Sequence, residues 1–229
     1  SCRLRTTGVP ESEIAEILKE PLTTKHGCAI GYYPSEYGVD LQISSKILDN
    51  VNKFKKIACE VLGPVIYSDQ NVDLQEVLVK NALKNKKTIA VAESCTGGII
   101  GSRITDVPGS SEVFLGGVIA YSDKIKEKML GVDKKLIRKY GAVSNEVVIK
   151  MAQGVKSRFK SDVGIAVSGI AGPGGGSDEK PVGLVYICYS SVSRDRVQKH
   201  TFGSVRKINK IKASQAALNL TRMELMKSD

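Results

Sequence analysis

The sequence has few of the residues on which common catalytic and metal sites depend. Histidine occurs only at His26 and His200, which argues against a zinc site built from His and Cys and against most serine–histidine triads. The cysteines are odd in number and never form a CxxC motif, a pattern typical of reduced thiols in a cytosolic protein. They are Cys2, Cys28, Cys59, Cys95 and Cys188. A nucleophilic serine in this chain would need a base other than histidine.

Long apolar segments and aromatic residues are also scarce. No apolar run approaches the roughly 18–20 residues of a membrane helix, and the first residues are too polar for a signal peptide. Aromatic residues make up 5% of the chain, which is few for stacking on single-stranded nucleic acid. We therefore expect a globular protein without membrane segments.

The net charge of +10 is unevenly distributed along the chain. Residues 1–73 hold 8 Lys/Arg and 10 Asp/Glu, a net charge of −2, whereas residues 74–229 hold 26 and 14, a net charge of +12. An anionic small substrate, a nucleic acid or a lysine-rich solubilising surface would each account for this excess.

A polar, turn-like stretch near residues 67–73 divides the chain into two predicted domains, 1–70 and 74–229. Apolar periodicity in the first part predicts a small α+β domain. Its predicted elements are a helix over Pro10–Lys19, a strand around Val39–Ile43, a helix over Asp49–Leu62 and a short strand over Val65–Tyr67.

Strands and helices alternate in the second part, which predicts an α/β domain with a layered, largely buried sheet and flanking helices. The predicted strands are Thr88–Ala92, Val113–Tyr121, Asp162–Ser168, Val182–Ser190 and Arg194–Phe202. The predicted helices are Leu74–Asn85, Gly98–Thr105, Ser122–Leu130, Lys134–Tyr140, Ser144–Phe159 and Val205–Met226.

The first candidate motif is the stretch 88–98, where a buried strand ends in small hydroxyl residues and paired glycines open a helix. This pattern places Ser94 and Thr96 beside amides at a helix start, which could bind a phosphate or stabilise an oxyanion. A capped turn without activity fits the spacing equally well. Cys95 is the rival nucleophile, although a buried structural cysteine is the commoner interpretation.

A second motif, residues 116–126, ends a strand at Tyr121 and places Lys126 on the following helix. Most helical lysines are solvated, but a desolvated lysine can act as the base of a serine nucleophile. Tyr121 could orient the substrate or relay a proton.

The third motif has five glycines in the eight residues 169–176, directly after a predicted buried strand. Glycines let backbone amides approach an anion closely. No GK[ST] follows at the spacing of a P-loop, and a flexible loop without a binding role remains the alternative.

Together these segments resemble the C-terminal domain of the CinA family, the nicotinamide-nucleotide amidase domain that also occurs as a stand-alone enzyme. The resemblance covers about 150 residues and several motifs in the same order. They are AESCTGG at 92–98, GGVIAYSDKIK at 116–126, GAVSNEVVIKMA at 141–152, SGIAGPGGGSDEKPVG at 168–183 and a Gly203–Arg206 stretch before the last helix.

The resemblance implies hydrolysis of nicotinamide mononucleotide to nicotinic acid mononucleotide and ammonia, without metal or cofactor, in a homodimer or higher homo-oligomer. It implies Ser94 as the nucleophile, Lys126 as its base and Tyr121 as an assisting group. The substrate-binding residues that it implies are Thr96, Gly97, Gly98, Ser168, Gly169, Ala171, Gly172, Gly174, Gly175 and Arg206. Two positions depart from the family pattern: Ser168 replaces a frequent Thr, and Gly203–Arg206 replaces a GDR-like turn.

Residues 8–13 before the first helix resemble the KH-like middle region of full-length CinA proteins. In those proteins the region follows a molybdopterin-binding-like domain linked to ADP-ribose pyrophosphatase activity. Since this chain begins with Ser1, we expect a piece of a longer protein and assign it no pyrophosphatase activity. Residues 1–73 lack a GxxG clamp and are slightly acidic, which disfavours nucleic-acid binding. A catalytically silent nucleotide-binding module of a longer CinA-type protein is the alternative function.

Overall fold

The structure, a computed structural model, describes residues 1–23 and 27–227. The chain divides into two compact units, Ser1–Val77 and Leu78–Asp229. The division falls within a helix, slightly beyond the polar stretch at which the sequence predicts a boundary. Among the described residues, no helix is both long and apolar enough to cross a membrane.

The N-terminal unit is an α+β structure built on one antiparallel sheet. Its strands are β1 (Cys2–Thr6), β2 (Ala29–Pro34), β3 (Val39–Ser44) and β4 (Ile66–Ser68), in the order β2-β3-β1-β4. Its helices are α1 (Glu11–Thr23) and α2 (Leu48–Leu62). The helices and the sheet share a core that includes Leu4, Ile14, Leu41 and Phe54, all fully buried.

Two strands of this unit escaped the sequence prediction. Strand β1 carries Arg3 and Arg5 among its five residues, so its alternation of apolar and polar residues is too short to be recognised as a strand pattern. Strand β2 is an edge strand whose residues are at most half-buried, and it contains Gly31 and ends at Pro34. Edge strands need no continuous apolar face, and for that reason their sequences carry a weak signal.

The C-terminal unit is the predicted α/β domain. Its strands are β5 (Ile89–Glu93), β6 (Phe114–Ile119), β7 (Val163–Gly169), β8 (Leu184–Ser190) and β9 (Asp195–Thr201). The sheet order is β6-β5-β7-β8-β9, with β5 parallel to both β6 and β7 and the other two pairs antiparallel. The helices are α3 (Leu74–Lys84), α4 (Ile99–Thr105), α5 (Asp123–Leu130), α6 (Lys134–Tyr140), α7 (Asn145–Phe159) and α8 (Arg206–Leu225).

Helices cover both faces of this sheet, as the predicted layered fold requires. Small strand residues such as Ala92 and Ala166 face α7 and its neighbours α5 and α6. A Cβ on Gly164 would lie 2.1 Å from the carbonyl oxygen of Ala152 on α7, so glycine permits this close approach. Helices α4 and α8 are joined by hydrogen bonds from Arg103 to Ser214 and Gln215, and α8 packs on β7 and β8.

The parallel strands bring the candidate motifs together. The carboxyl ends of β5, β6 and β7 lie at one edge of the sheet, where the register pairs Glu93 with Ile119 and with Val167. Ligands of α/β sheets commonly bind at this edge. The turn after β5, the first turn of α5 and the loop after β7 all lie at this edge of the sheet.

Candidate active site

The turn after β5 is held by the side chain of Glu93. This residue is 1% exposed, and its carboxylate accepts hydrogen bonds from the amides of Gly98 (2.9 Å), Ile100 (3.2 Å) and Gly101 (2.8 Å). The carboxylate therefore caps the first turn of α4, where amides lack helical partners and the helix dipole favours negative charge. Sequence analysis missed this role, although an acid at the end of a buried strand before two glycines was a usable signal.

The hydrogen bonds to Glu93 determine which amides of the turn are available to a ligand. The Gly98 amide is engaged by Glu93, and the Ser94 amide donates to the Val167 carbonyl at 2.9 Å. The amides of Cys95, Thr96 and Gly97 lie between these two. The hydroxyl oxygen of Thr96 is also fully buried and has no hydrogen-bond partner among the described residues.

Cys95 is a poor nucleophile in this environment. The residue is 5% exposed. Burial raises the pKa of its thiol to about 12, with Glu93 adding to the effect while Lys210 and Arg206 oppose it. Since the thiolate is the reactive form, a thiol with this pKa stays protonated near neutral pH. Burial therefore argues against Cys95 as the nucleophile, and Ser94, which is 7% exposed, stays the predicted one.

Lys126 is a buried amine near residues 94–98, the turn after β5 that we call the serine turn. Ser122 caps α5 by accepting from the Ile125 amide, and this places Lys126 in the first helical turn with 2% of its side chain exposed. Its Nζ donates to the Tyr121 carbonyl at 3.4 Å and lies 3.5 Å from Asp123 Oδ1. Burial lowers the pKa of Lys126, whereas Asp123 opposes this shift.

Ser94 and Lys126 are not hydrogen-bonded to each other among the described contacts. Ser94 follows the end of β5 and Lys126 lies on the helix that follows the neighbouring strand β6, whose ladder continues to the Ala120 amide, which donates to the Glu93 carbonyl at 2.7 Å. No described histidine competes for the role of base, since His200 lies on β9, separated from β5 by β7 and β8. His26 lies outside the described residues.

Tyr121 joins the serine edge to the glycine-rich loop through Arg206. The tyrosine is 61% exposed, and its hydroxyl oxygen accepts a hydrogen bond from Arg206 Nη2 at 3.1 Å. Arg206 Nη1 donates to the Gly172 carbonyl at 2.8 Å. The structure thus brings Tyr121, Arg206 and Gly172 together, although they come from three separate motifs.

The buried part of the glycine-rich loop is fixed by side chains from other elements. Ser168 is 1% exposed and donates to the Ala142 carbonyl at 2.7 Å. The Ala171 carbonyl accepts from Asn209 Nδ2 at 3.0 Å, and Gly169 pairs with Val185 of β8. Ser168, Gly169 and Ala171 therefore form the frame of the loop, and their contact with a substrate stays a prediction.

The tip of this loop is open. No atom lies within 4 Å of the position that a Cβ would take on Gly174, and Gly175 adopts a positive φ of 85°. On the far side of the loop, Lys180 Nζ donates to the carbonyls of Tyr140 (2.6 Å) and Val143 (2.9 Å). Exposed backbone between two anchored ends suits the binding of a ligand by loop amides.

Helix α8 contributes a residue that the sequence analysis did not assign to the site. A Cβ on Gly97 would lie 3.5 Å from Lys210 Nζ, so the lysine lies directly against the serine turn. Gly97 has a φ of 64°, a conformation that favours glycine. No group of three or more His, Cys, Asp or Glu side chains suited to a metal ion occurs among residues 1–23 and 27–227.

The fold and the site define an α/β domain whose serine-bearing turn lies at the carboxyl edge of parallel strands, next to a buried lysine. Residues 71–225 match the family model of the CinA C-terminal domain, and residues 1–64 match that of the damage-inducible protein CinA KH domain. The chain belongs to the CinA family.

Individual relatives agree with this assignment. CinA-like proteins of Prochlorococcus marinus (strain NATL2A) and Chlorobaculum tepidum are each 40% identical, over 97% and 96% of this chain and 53% and 56% of their own length. This chain thus spans about half the length of the curated relatives that it matches. The crystal structure of a competence/damage-inducible protein from Agrobacterium tumefaciens is 32% identical with a TM-score of 0.64, covering 70% of this chain and all of that one.

Proposed function

We propose that the C-terminal unit hydrolyses the carboxamide of nicotinamide mononucleotide to nicotinic acid mononucleotide and ammonia. The observation that carries this proposal is the buried amine of Lys126, with its lowered pKa, at the strand edge where Ser94 begins the turn. A neutral lysine is the base that a serine needs when histidine is absent from the site. The choice of nicotinamide mononucleotide as the substrate rests on the resemblance of the ordered motifs to the nicotinamide-nucleotide amidase domain.

In the proposed first step, Ser94 Oγ attacks the carboxamide carbon and its proton passes to Lys126 Nζ. The negative charge that develops on the carboxamide oxygen is stabilised by the amides of Thr96 and Gly97, because the neighbouring amides are engaged by Glu93 and Val167. The C–N bond then breaks, the ammonium group of Lys126 returns the proton to the leaving nitrogen, and ammonia departs.

The second step hydrolyses the ester formed on Ser94. Water attacks the acyl carbon, gives a proton to Lys126 Nζ, and the carbon–Oγ bond breaks to release the acid and reprotonate Ser94. Lys126 begins and ends the cycle neutral. Its contacts with Tyr121 and Asp123, at 3.4 and 3.5 Å, are long for hydrogen bonds, and the proposed mechanism requires Lys126 Nζ to leave them and turn towards Ser94 Oγ.

The experiment is an ammonia-release assay on the purified chain with nicotinamide mononucleotide. We expect Lys126→Met to lower kcat by about 10²–10⁴-fold, the range for loss of a general base, and Ser94→Ala to lower it by up to about 10⁶-fold, as for loss of a serine nucleophile. The matched controls are Ser102→Ala on α4 and Lys124→Met on α5, both exposed residues of the same types. Turnover that survives Ser94→Ala would refute the assigned mechanism.

A second function is favoured by one observation, the lack of a hydrogen bond between Ser94 and Lys126. A catalytically silent nucleotide-binding module of a longer CinA-type protein needs no such dyad. It would bind nicotinamide mononucleotide without releasing ammonia, and Ser94→Ala would leave the affinity unchanged. Calorimetric titration beside the ammonia assay separates the two functions.

A further inference from the structure

The turn between α6 and α7, residues 140–144, contacts both ends of the glycine-rich loop, and we call it the anchor turn. Each carbonyl oxygen of residues 140–143 accepts a hydrogen bond from a side chain. Lys180 donates two of these bonds, Ser168 donates one, and Ser144 of the turn itself donates the fourth. Because Ser168 stands directly before the loop and Lys180 follows its glycines, two separate side chains hold the loop against one turn.

The ammonium group of Lys180 meets the carboxyl end of α6. Its Nζ donates to the Tyr140 carbonyl at 2.6 Å and to the Val143 carbonyl at 2.9 Å. Tyr140 is the last residue of α6, where carbonyls lack helical partners and a cation is favoured. Within the described part of the chain, no ion pair joins Lys180 to a carboxylate. The carbonyls of the anchor turn are therefore the groups that hold this ammonium in place.

The backbone of Lys180 is fixed on the side of the loop. The Ser177 amide donates to the Lys180 carbonyl at 2.9 Å, and the Lys180 amide donates to Ser177 Oγ at 3.2 Å. The base of the loop is closed by the Gly183 amide, which donates to the Ile170 carbonyl at 2.7 Å. Through one side chain, Lys180 thus joins the far side of the loop to Tyr140, 40 residues earlier in the chain.

We propose that Lys180 is a positioning residue that holds the glycine-rich loop in the conformation that binds the substrate. This inference rests on the proposed function, in which the loop contacts the substrate. At the tip of the loop there is open space around Gly174, so packing does little to fix its conformation, and the two held ends must do so. Without Lys180, part of the binding free energy would be used to order the loop.

The first test measures the loop itself and needs no activity. Hydrogen exchange followed by mass spectrometry compares the parent, Lys180→Met and Lys134→Met chains. We expect Lys180→Met to speed the exchange of peptides within residues 170–183 by about tenfold, because a segment with fewer contacts opens more often. Lys134→Met, an exposed lysine at the other end of α6, is the matched control and behaves like the parent. Equal exchange in the Lys180→Met and parent loops would overturn the inference.

The second test is steady-state kinetics with nicotinamide mononucleotide. For Lys180→Met we expect KM to rise about tenfold with kcat within about threefold, because the loop acts in binding and not in bond cleavage. Lys180→Arg keeps a cationic donor and should restore most of the affinity. A merely structural role would give a different result, since loss of folded protein lowers the apparent kcat and leaves KM unchanged.

A binding measurement separates this inference from the amidase proposal. Nicotinamide mononucleotide is titrated calorimetrically into the parent and Lys180→Met chains. If the parent releases no ammonia but binds the mononucleotide more tightly than Lys180→Met does, the amidase proposal fails and the positioning role stands. If the parent turns over and Lys180→Met keeps its KM, the positioning role is overturned and the amidase proposal stands. A parent that neither binds nor turns over the mononucleotide would overturn both.

Discussion

Replacing Glu93 by Gln tests the internal support of the serine turn. The carboxylate accepts three buried backbone hydrogen bonds, two at Oε2 and one at Oε1. A Gln side chain has one acceptor oxygen, so at least the Gly101 amide would face an NH₂ group. An orphaned buried donor costs about 1–3 kcal/mol, and losing a charge at a helix N-terminus costs about 0.3–1 kcal/mol more.

These contributions sum to a loss of about 1–4 kcal/mol for Glu93→Gln. For a cooperative unit of about 150 residues this corresponds to a fall in Tm of about 3–16 °C. The assay is thermal unfolding followed by circular dichroism, with the exposed Glu112→Gln as the matched control. A midpoint within about 1 °C of the parent would refute the capping argument, since a stability change that small is below one kcal/mol.

Two further predictions concern the ionisable groups of the site. Burial lowers the pKa of Lys126 while Asp123 raises it, so kcat/KM should rise with pH, and the midpoint of that rise should lie below the ordinary lysine pKa of about 10.4. Asp123→Asn should move this midpoint to lower pH. A pH–rate profile that does not respond to Asp123→Asn contradicts Lys126 as the base. Because burial raises the pKa of the Cys95 thiol to about 12, we expect Cys95 to resist iodoacetamide at neutral pH while the exposed Cys59 reacts, as measured by peptide mass spectrometry. Cys95→Ala should keep most of the activity, and a loss as large as that of Ser94→Ala would return Cys95 to the role of nucleophile.

The fold of the C-terminal unit could be predicted from sequence because its central strands β5, β7 and β8 are buried on both faces. Val163–Gly169 and Leu184–Ser190 are nearly continuous runs of buried residues, and such runs bounded by turn residues are readable without an alignment. The predicted helices and strands are confirmed, with ends that shift by a few residues. Strands β1 and β2 lacked that double burial and were missed.

The candidate site was only partly predictable, for a different reason. Ser94 and Tyr121 stand next to strand ends and Lys126 lies on the helix that follows, so local pattern named them as candidates, and the family resemblance supplied their roles. Lys210 lies within a lysine-rich helix whose pattern is typical of a solvated face, and only the packing of α8 brings it to Gly97. Ser168 was assigned to the substrate by the family resemblance alone; the structure shows that its hydroxyl donates to the Ala142 carbonyl, and its contact with a substrate stays a prediction.

The Glu93 cap and the cations of α8 are two parts of one electrostatic arrangement. A turn at a helix start normally attracts a phosphate, but in this domain a carboxylate already neutralises that end of α4. The turn is thereby fixed without a ligand, and its outer amides remain free to meet a neutral carboxamide. Positive charge next to the turn comes from another element, because α8 places Arg206 and Lys210 there. The sheet edge thereby has uncharged backbone amides, which the proposed mechanism uses for the carboxamide, directly beside a region of positive charge.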